Sequence, residues 1–108
     1  MSLEGTEPPD MQYKLRLFIT GSTPRSTRAI ENMRRICAEN LEGRYDLEVV
    51  DVYQDPESTR ELQIIATPTL VKILPEPLRR IIGDLSDRER VLAGLDLAAL
   101  GKEDQTSS

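Results

Sequence analysis

The sequence predicts a single α/β domain. Three observations carry that expectation: a first strand written with a period of two, a capped helix directly behind it, and a second strand that is apolar on both parities. At 108 residues there is room for one core and not for two. Hydrophobic residues make up 38% and aromatic residues 4%, with no tryptophan, so the core must be aliphatic.

The run MQYKLRLFITG sets Tyr13, Leu15, Leu17 and Ile19 against Lys14, Arg16, Phe18 and Thr20, which reads as a strand ending at Gly21. In STPRSTRAIENMRRICAENLEGR, Thr23 can cap a helix, and Pro24 suits a first turn in which the missing N–H costs nothing. Ile30, Met33, Cys37 and Leu41 follow at helical spacing, and Gly43 supplies a left-handed stop. YDLEVVDVYQ places Leu47 and Val49 on one parity and Val50 and Val52 on the other, as in a strand covered on both faces. Strand, helix and strand in that order imply a right-handed parallel unit.

DPESTRELQI is a short helix with Asp55 as its cap and Pro56 in its first turn. TPTLVKIL reads as a strand, PEP as a break and LRRIIG as another short strand. DLSDRERVLAGLDLAALG opens with Ser86 and Glu89 at capping-box spacing and predicts a helix over residues 86–100, with Val91, Leu92, Leu95 and Ala99 on one face. Residues 1–10 read as a flexible acidic lead, 11–101 as the domain and 102–108 as a polar tail. The resulting order, βαβαββα, is that of the thioredoxin-like fold. In such folds a loop like ATPTL, residues 66–70, sets a proline beside the active site, and the Thr67–Pro68 bond is expected to be cis.

Redox chemistry on this scaffold needs a low-pKa cysteine at the start of the first helix, where free N–H groups and the dipole stabilise a thiolate. Residues 21–26 read GSTPRS, and the one cysteine, Cys37, falls on the apolar helix face as a buried small hydrophobe. No histidine is present, which removes Ser/His triads, histidine bases and nearly all zinc sites. Asp84, Asp87 and Glu89 lack calcium-loop spacing and read as helix-start acids. Catalytic residues, cofactors and metal ligands are therefore expected to be none. A net charge of −5 argues against nucleic acid as a partner, though not against a local basic patch. No run reaches eighteen apolar residues, so no membrane partner is expected, and a cytoplasmic setting fits the single thiol.

LFITGSTPRSTRAI, DVYQDP and ATPTLVKILPEPLRRIIGDLSDRERVLAGLDL closely resemble the KaiB family of circadian clock proteins, across residues 12–98. The resemblance implies a binding protein that docks on the amino-terminal ATPase ring of a KaiC-type hexamer and shifts its phosphorylation balance. It implies two folds for one chain: a resting βαββααβ form assembled as a dimer or tetramer, and a thioredoxin-like βαβαββα monomer that binds KaiC. A histidine kinase with a KaiB-like domain is the implied competitor. The family's contact surface is basic, and the matching positions are Arg16, Arg28 and Lys72. Glu48 stands where cyanobacterial relatives carry lysine, and Ala99 where many carry tyrosine, which counts against KaiA as a partner. A thioredoxin-fold redox or glutathione-binding protein and a stress-signalling interaction module stay open as alternatives.

Fold switching needs two packings within a few kcal/mol of each other. Within the 86–100 helix, Gly94 costs about 1 kcal/mol relative to alanine. Asp96 near its end opposes the dipole by about 0.3–1 kcal/mol. Replacing Gly94 by alanine or Asp96 by arginine is expected to favour the helix and hence the monomer. Pro68, Pro75 and Pro77 punctuate the preceding segment, and slow X–Pro isomerisation is expected to pace the interconversion.

Overall fold

The computed structural model describes residues 12–97. Seven elements run in the expected order: β1 (Tyr13–Ile19), α1 (Pro24–Asn40), β2 (Tyr45–Asp51), α2 (Pro56–Glu61), β3 (Thr69–Leu74), β4 (Arg79–Ile82) and α3 (Arg88–Gly94). They build a four-stranded sheet in the order β2-β1-β3-β4. β1 pairs parallel with β2, in register from Tyr13–Tyr45 to Ile19–Asp51, and antiparallel with β3. β4 closes the other edge, antiparallel to β3. The Thr67–Pro68, Leu74–Pro75 and Glu76–Pro77 bonds are cis.

Alternation divides the sheet into two unequal faces. Leu15, Leu17 and Ile19 of β1, Leu70 of β3 and Ile81 of β4 point to the main core. There α1 contributes Ala29, Met33, Ile36 and Cys37, and α3 contributes Val91. Burial of such aliphatic side chains stabilises by roughly 1.5–3 kcal/mol each. Phe18, Val50 and Val71 point the other way into a smaller cluster with Leu62 and Ile64 at its margin. Leu47 and Val49, expected to be fully covered, are only half-buried, because β2 is an edge strand.

α1 starts as expected: Thr23 Oγ1 accepts from the Ser26 N–H at 3.1 Å, and Pro24 occupies the first turn. Asp55 caps α2 by accepting from the Ser58 N–H at 3.1 Å. α3 departs from the sequence reading. Its cap is Asp87, which accepts from the Arg90 N–H at 3.2 Å; the Ser86 N–H instead donates to Asp84, so the Ser86–Glu89 capping box does not form. The helix ends at Gly94 rather than at residue 100, and Ala99 lies outside the described residues.

Candidate docking site

The loop GSTPRS between β1 and α1 forms the start of α1. Gly21 takes a positive φ of 58°, which glycine adopts without strain, and Ser26 is buried against the Thr23 cap. Cys37 lies on the core face of α1, fully enclosed, and burial pushes its thiol up to about 12. A thiol so shielded is not a nucleophile near neutrality. Among the described residues no group of acidic, cysteine or histidine side chains is arranged to hold a metal ion.

The smaller cluster covers only part of its face, and the uncovered part is polar. Cross-strand register aligns Glu48, Arg16, Val71 and Arg80 in one row across β2, β1, β3 and β4. Arg16 Nε sits 3.3 Å from Glu48 Oε1, shielded from solvent but outside hydrogen-bond geometry, so the contact is an ion pair and not an aligned bond. Arg80 is exposed at the end of the row, where its Nε donates to the Leu62 carbonyl at 3.0 Å. Lys14 is exposed one step away on the same side of β1. On this open face Arg16 is held by an ion pair and Arg80 by a main-chain contact, and Lys14 is exposed. Sequence reasoning missed Arg80, which comes into line with Arg16 only through the register of both with Val71, a pairing the sequence alone does not fix.

The expected contact residues do not converge. Arg16 lies on the open face. Arg28 projects from α1 in the opposite layer, where its Nε is 3.4 Å from Asp84 Oδ2. Hydrogen bonds from the Ser86 side chain and N–H, with Arg28 beside it, lower the Asp84 pKa. Lys72 is fully buried. It takes the parity of Leu70, so its stem enters the main-core side, and its Nζ donates to the carbonyls of Pro75 and Pro77, the latter at 2.8 Å. Asp96 Oδ2 completes the cage at 3.3 Å. In this conformation Lys72 is an internal strut whose ammonium is withheld from any partner.

The residues read as weakening the last helix also take different roles. Gly94 is the final residue of α3 rather than its middle, and a Cβ there would come within 2.8 Å of Ile81 Cγ1. The gain in propensity from alanine is thus opposed by displacement of a buried side chain. Asp96 lies beyond the helix at φ 65°, ion-paired with Lys72 and with Arg79 at 3.4 Å. Arginine at that position would bring a third cation into the cage, so the dipole argument does not govern it here. Pro68 is buried at the head of β3, while Pro75 and Pro77 form the β3–β4 turn.

Comparison with known proteins agrees with this architecture. The solution structure of the N-terminal domain of Synechococcus elongatus SasA superposes with a TM-score of 0.68 at 24% identity, covering 88% of this chain and 93% of that one. Chloroplastic thioredoxin z superposes with a TM-score of 0.63 at 20% identity, covering 87% and 80%. Both likenesses establish the thioredoxin-like fold. A circadian clock oscillator protein KaiB of Prochlorococcus marinus is 55% identical over 89 residues, which is 82% of this chain and 76% of that protein. The protein of the same description from Nostoc punctiforme is 55% identical over 85 residues, 79% and 82% of the two chains. The family model described as the KaiB domain matches residues 16–97, from the arginine on the open face to the end of the described fold. The chain belongs to the KaiB family.

Proposed function

We propose that this chain is a non-enzymatic regulator in a circadian-clock or clock-like signalling system, where it docks on a KaiC-type hexameric ATPase and modulates its phosphorylation state. The observation that carries the reading is 55% identity over 89 residues to a protein described as a circadian clock oscillator protein. Two further observations support it. Gly21–Ser26 holds no sulfur where a redox member of the fold requires one. The open sheet face carries Lys14, Arg16 and Arg80, matching an acidic partner edge. The βαβαββα monomer is the binding form in this reading, the βαββααβ dimer or tetramer is the resting form, and a histidine kinase with a KaiB-like domain competes for the same ring.

The test is a pull-down against the KaiC-type ATPase of the same organism, with and without ATP. Retention of the chain on the ring, weakened by Arg16→Glu and by added salt, is the expected result. No retention in any nucleotide state would sink the proposal. Because charges at the edge of an interface act mainly on encounter, the Arg16 variant should slow association by about tenfold and change dissociation less.

A further inference from the structure

The cations of the open sheet face are incompletely balanced by the fold that carries them. Arg16 meets Glu48 at 3.3 Å, but outside hydrogen-bond geometry. Among the described residues Lys14 and Arg80 form no ion pair, and Arg80 directs its Nε to the Leu62 carbonyl. Lys14 and Arg16 stand about 7 Å apart along β1, and Arg80 lies two strands over, about 10 Å from Arg16. Among the strands, acids on this side are confined to β2, where exposed Asp46 and Glu48 stand opposite Lys14 and Arg16.

A source of carboxylates lies immediately upstream. Residues 1–11, which fall outside the described residues, read MSLEGTEPPDM and carry Glu4, Glu7 and Asp10 with no lysine or arginine. The described chain begins at Gln12, exposed and just ahead of Lys14 on β1, so the acids are tethered closely to the cations. Consecutive prolines such as Pro8–Pro9 favour an extended chain of three residues per turn, in which acids at every third position share one side at intervals of about 9 Å. That interval matches the spacing between Arg16 and Arg80. Reach is sufficient: Arg80 lies about 14 Å from the start of β1, and the steps from Glu7 to Tyr13 span about 19 Å in such a chain. A short tether holds the carboxylates at about millimolar local concentration, so that individually weak exposed pairs act together.

We propose that the acidic segment of residues 1–11 folds back over the open face as an intramolecular occupant, its carboxylates pairing with Lys14, Arg16 and Arg80. Asp46 and Glu48 repel it from β2 and direct it across β3 toward β4. It thereby competes with any acidic partner edge for the same cations. The contact itself stands without a ring; its inhibitory consequence rests on the docking proposed above.

The test places a spin label on Ser2→Cys, with buried Cys37 left unlabelled, and follows amide NMR of the dilute, isotope-labelled chain at low salt. Paramagnetic broadening should at least halve the Val71 and Arg80 signals, which are distant in sequence, and spare Arg34 and Arg35 on α1. Combining Glu4→Gln, Glu7→Gln and Asp10→Asn, or raising salt to about 0.5 M, should return Val71 and Arg80 to the level of Arg34 and Arg35. The same three substitutions should speed association with a KaiC-type ATPase about three- to tenfold at low salt and leave it unchanged at about 0.5 M. Absent broadening, broadening equal on both layers, or broadening that survives neutralisation overturns the proposal. Broadening that fades on dilution also overturns it, since a second copy would then supply the segment. Broadening at Val71 and Arg80 with unchanged association to a ring that retains the chain overturns the inhibitory role. The same broadening in a chain that no ring retains supports the contact and sinks the docking reading alone.

Discussion

Lys72 is the residue on which charge-based and structure-based reasoning give opposite answers, and replacing it by methionine separates them. Methionine keeps an unbranched stem of similar length, so the strand still fills the space beside Leu70. It removes two hydrogen bonds from a charged donor, to the Pro75 and Pro77 carbonyls, and an ion pair of 3.3 Å to Asp96. Each such bond contributes roughly 1.5–3 kcal/mol net. Against that loss, removal of a buried ammonium saves a desolvation cost of several kcal/mol, as order of magnitude. The stranded acceptors rehydrate readily, since the Asp96 side chain is 40% exposed and Pro77 is exposed. The two effects leave a net loss of about 1–2 kcal/mol. Glutamate at the same site would face Asp96 and two carbonyls with no donor, at a cost of about 4 kcal/mol or more, close to the whole stability of a small domain. Urea unfolding measures the first quantity, and association with a KaiC-type ATPase tests the proposed docking. Lys72→Met should lower stability by about 1–2 kcal/mol and leave association within about twofold of the parent. A methionine variant that kept full stability yet lost association would place the ammonium at an interface. A tolerated glutamate would remove the cage altogether.

Thr23→Ala deletes the cap of α1 and should cost about 1 kcal/mol by urea unfolding, with Thr23→Asp or Thr23→Asn recovering most of it. The Cys37 thiol should resist disulfide exchange reagents at pH 8 and react only as fast as the domain opens, as stopped-time labelling in increasing urea would show. Its raised folded pKa, about 12 against the usual 9.0, means the unfolded thiol ionises first; stability on this account is full below pH 9 and falls between pH 9 and 12, a loss that Cys37→Ala should not show. Asp55 and Asp84 have folded pKa values below the usual 3.8, through the Ser58 hydrogen bonds and the Ser86 hydrogen bonds respectively. Their contribution is present above pH 3.8 and disappears as pH falls through the lower folded values, so Asp84→Asn should flatten the acid limb of a stability–pH curve.

The N-terminal half was legible in the sequence because its determinants are local. The alternation of Tyr13, Leu15, Leu17 and Ile19 needs only the pleat, and the Thr23–Pro24 start of α1 needs only the first turn. The end of α3 was not legible, because it is decided by contacts far away in sequence. Leu95 is fully buried, and its carbonyl accepts from the Tyr13 hydroxyl at 3.0 Å across a separation of 82 residues. Asp96 then turns to φ 65°, where its carboxylate meets Lys72. Continuing the helix would break both contacts. Ser86 and Asp87 offer competing caps in adjacent positions, and propensity alone does not choose between them; the choice follows Leu85, which is buried at φ 64° and sets the direction of entry.

The contact residues were carried over from the basic surface that the family resemblance implies, and a match of position and charge does not say which face a side chain takes. For Lys72 a corrective signal was nonetheless present. TLVKIL is apolar on both parities, with Leu70 on one and Val71 and Ile73 on the other, which marks a strand covered on both sides and places any lysine within it in the interior. A lysine in such a strand requires oxygen acceptors close by, unopposed by donors. The segment that follows is LPEP. Proline carries a carbonyl but no N–H, so a turn built on Pro75 and Pro77 is rich in acceptors and poor in competing donors. The two prolines read as punctuation therefore have a second physical consequence, solvating the cation one strand-end away, and Asp96 at the far end of the fold balances its charge. A turn, a buried cation and a residue just past the end of α3 are thereby joined in one polar cluster, in which the Lys72 ammonium depends on the LPEP carbonyls and on Asp96 for its partners.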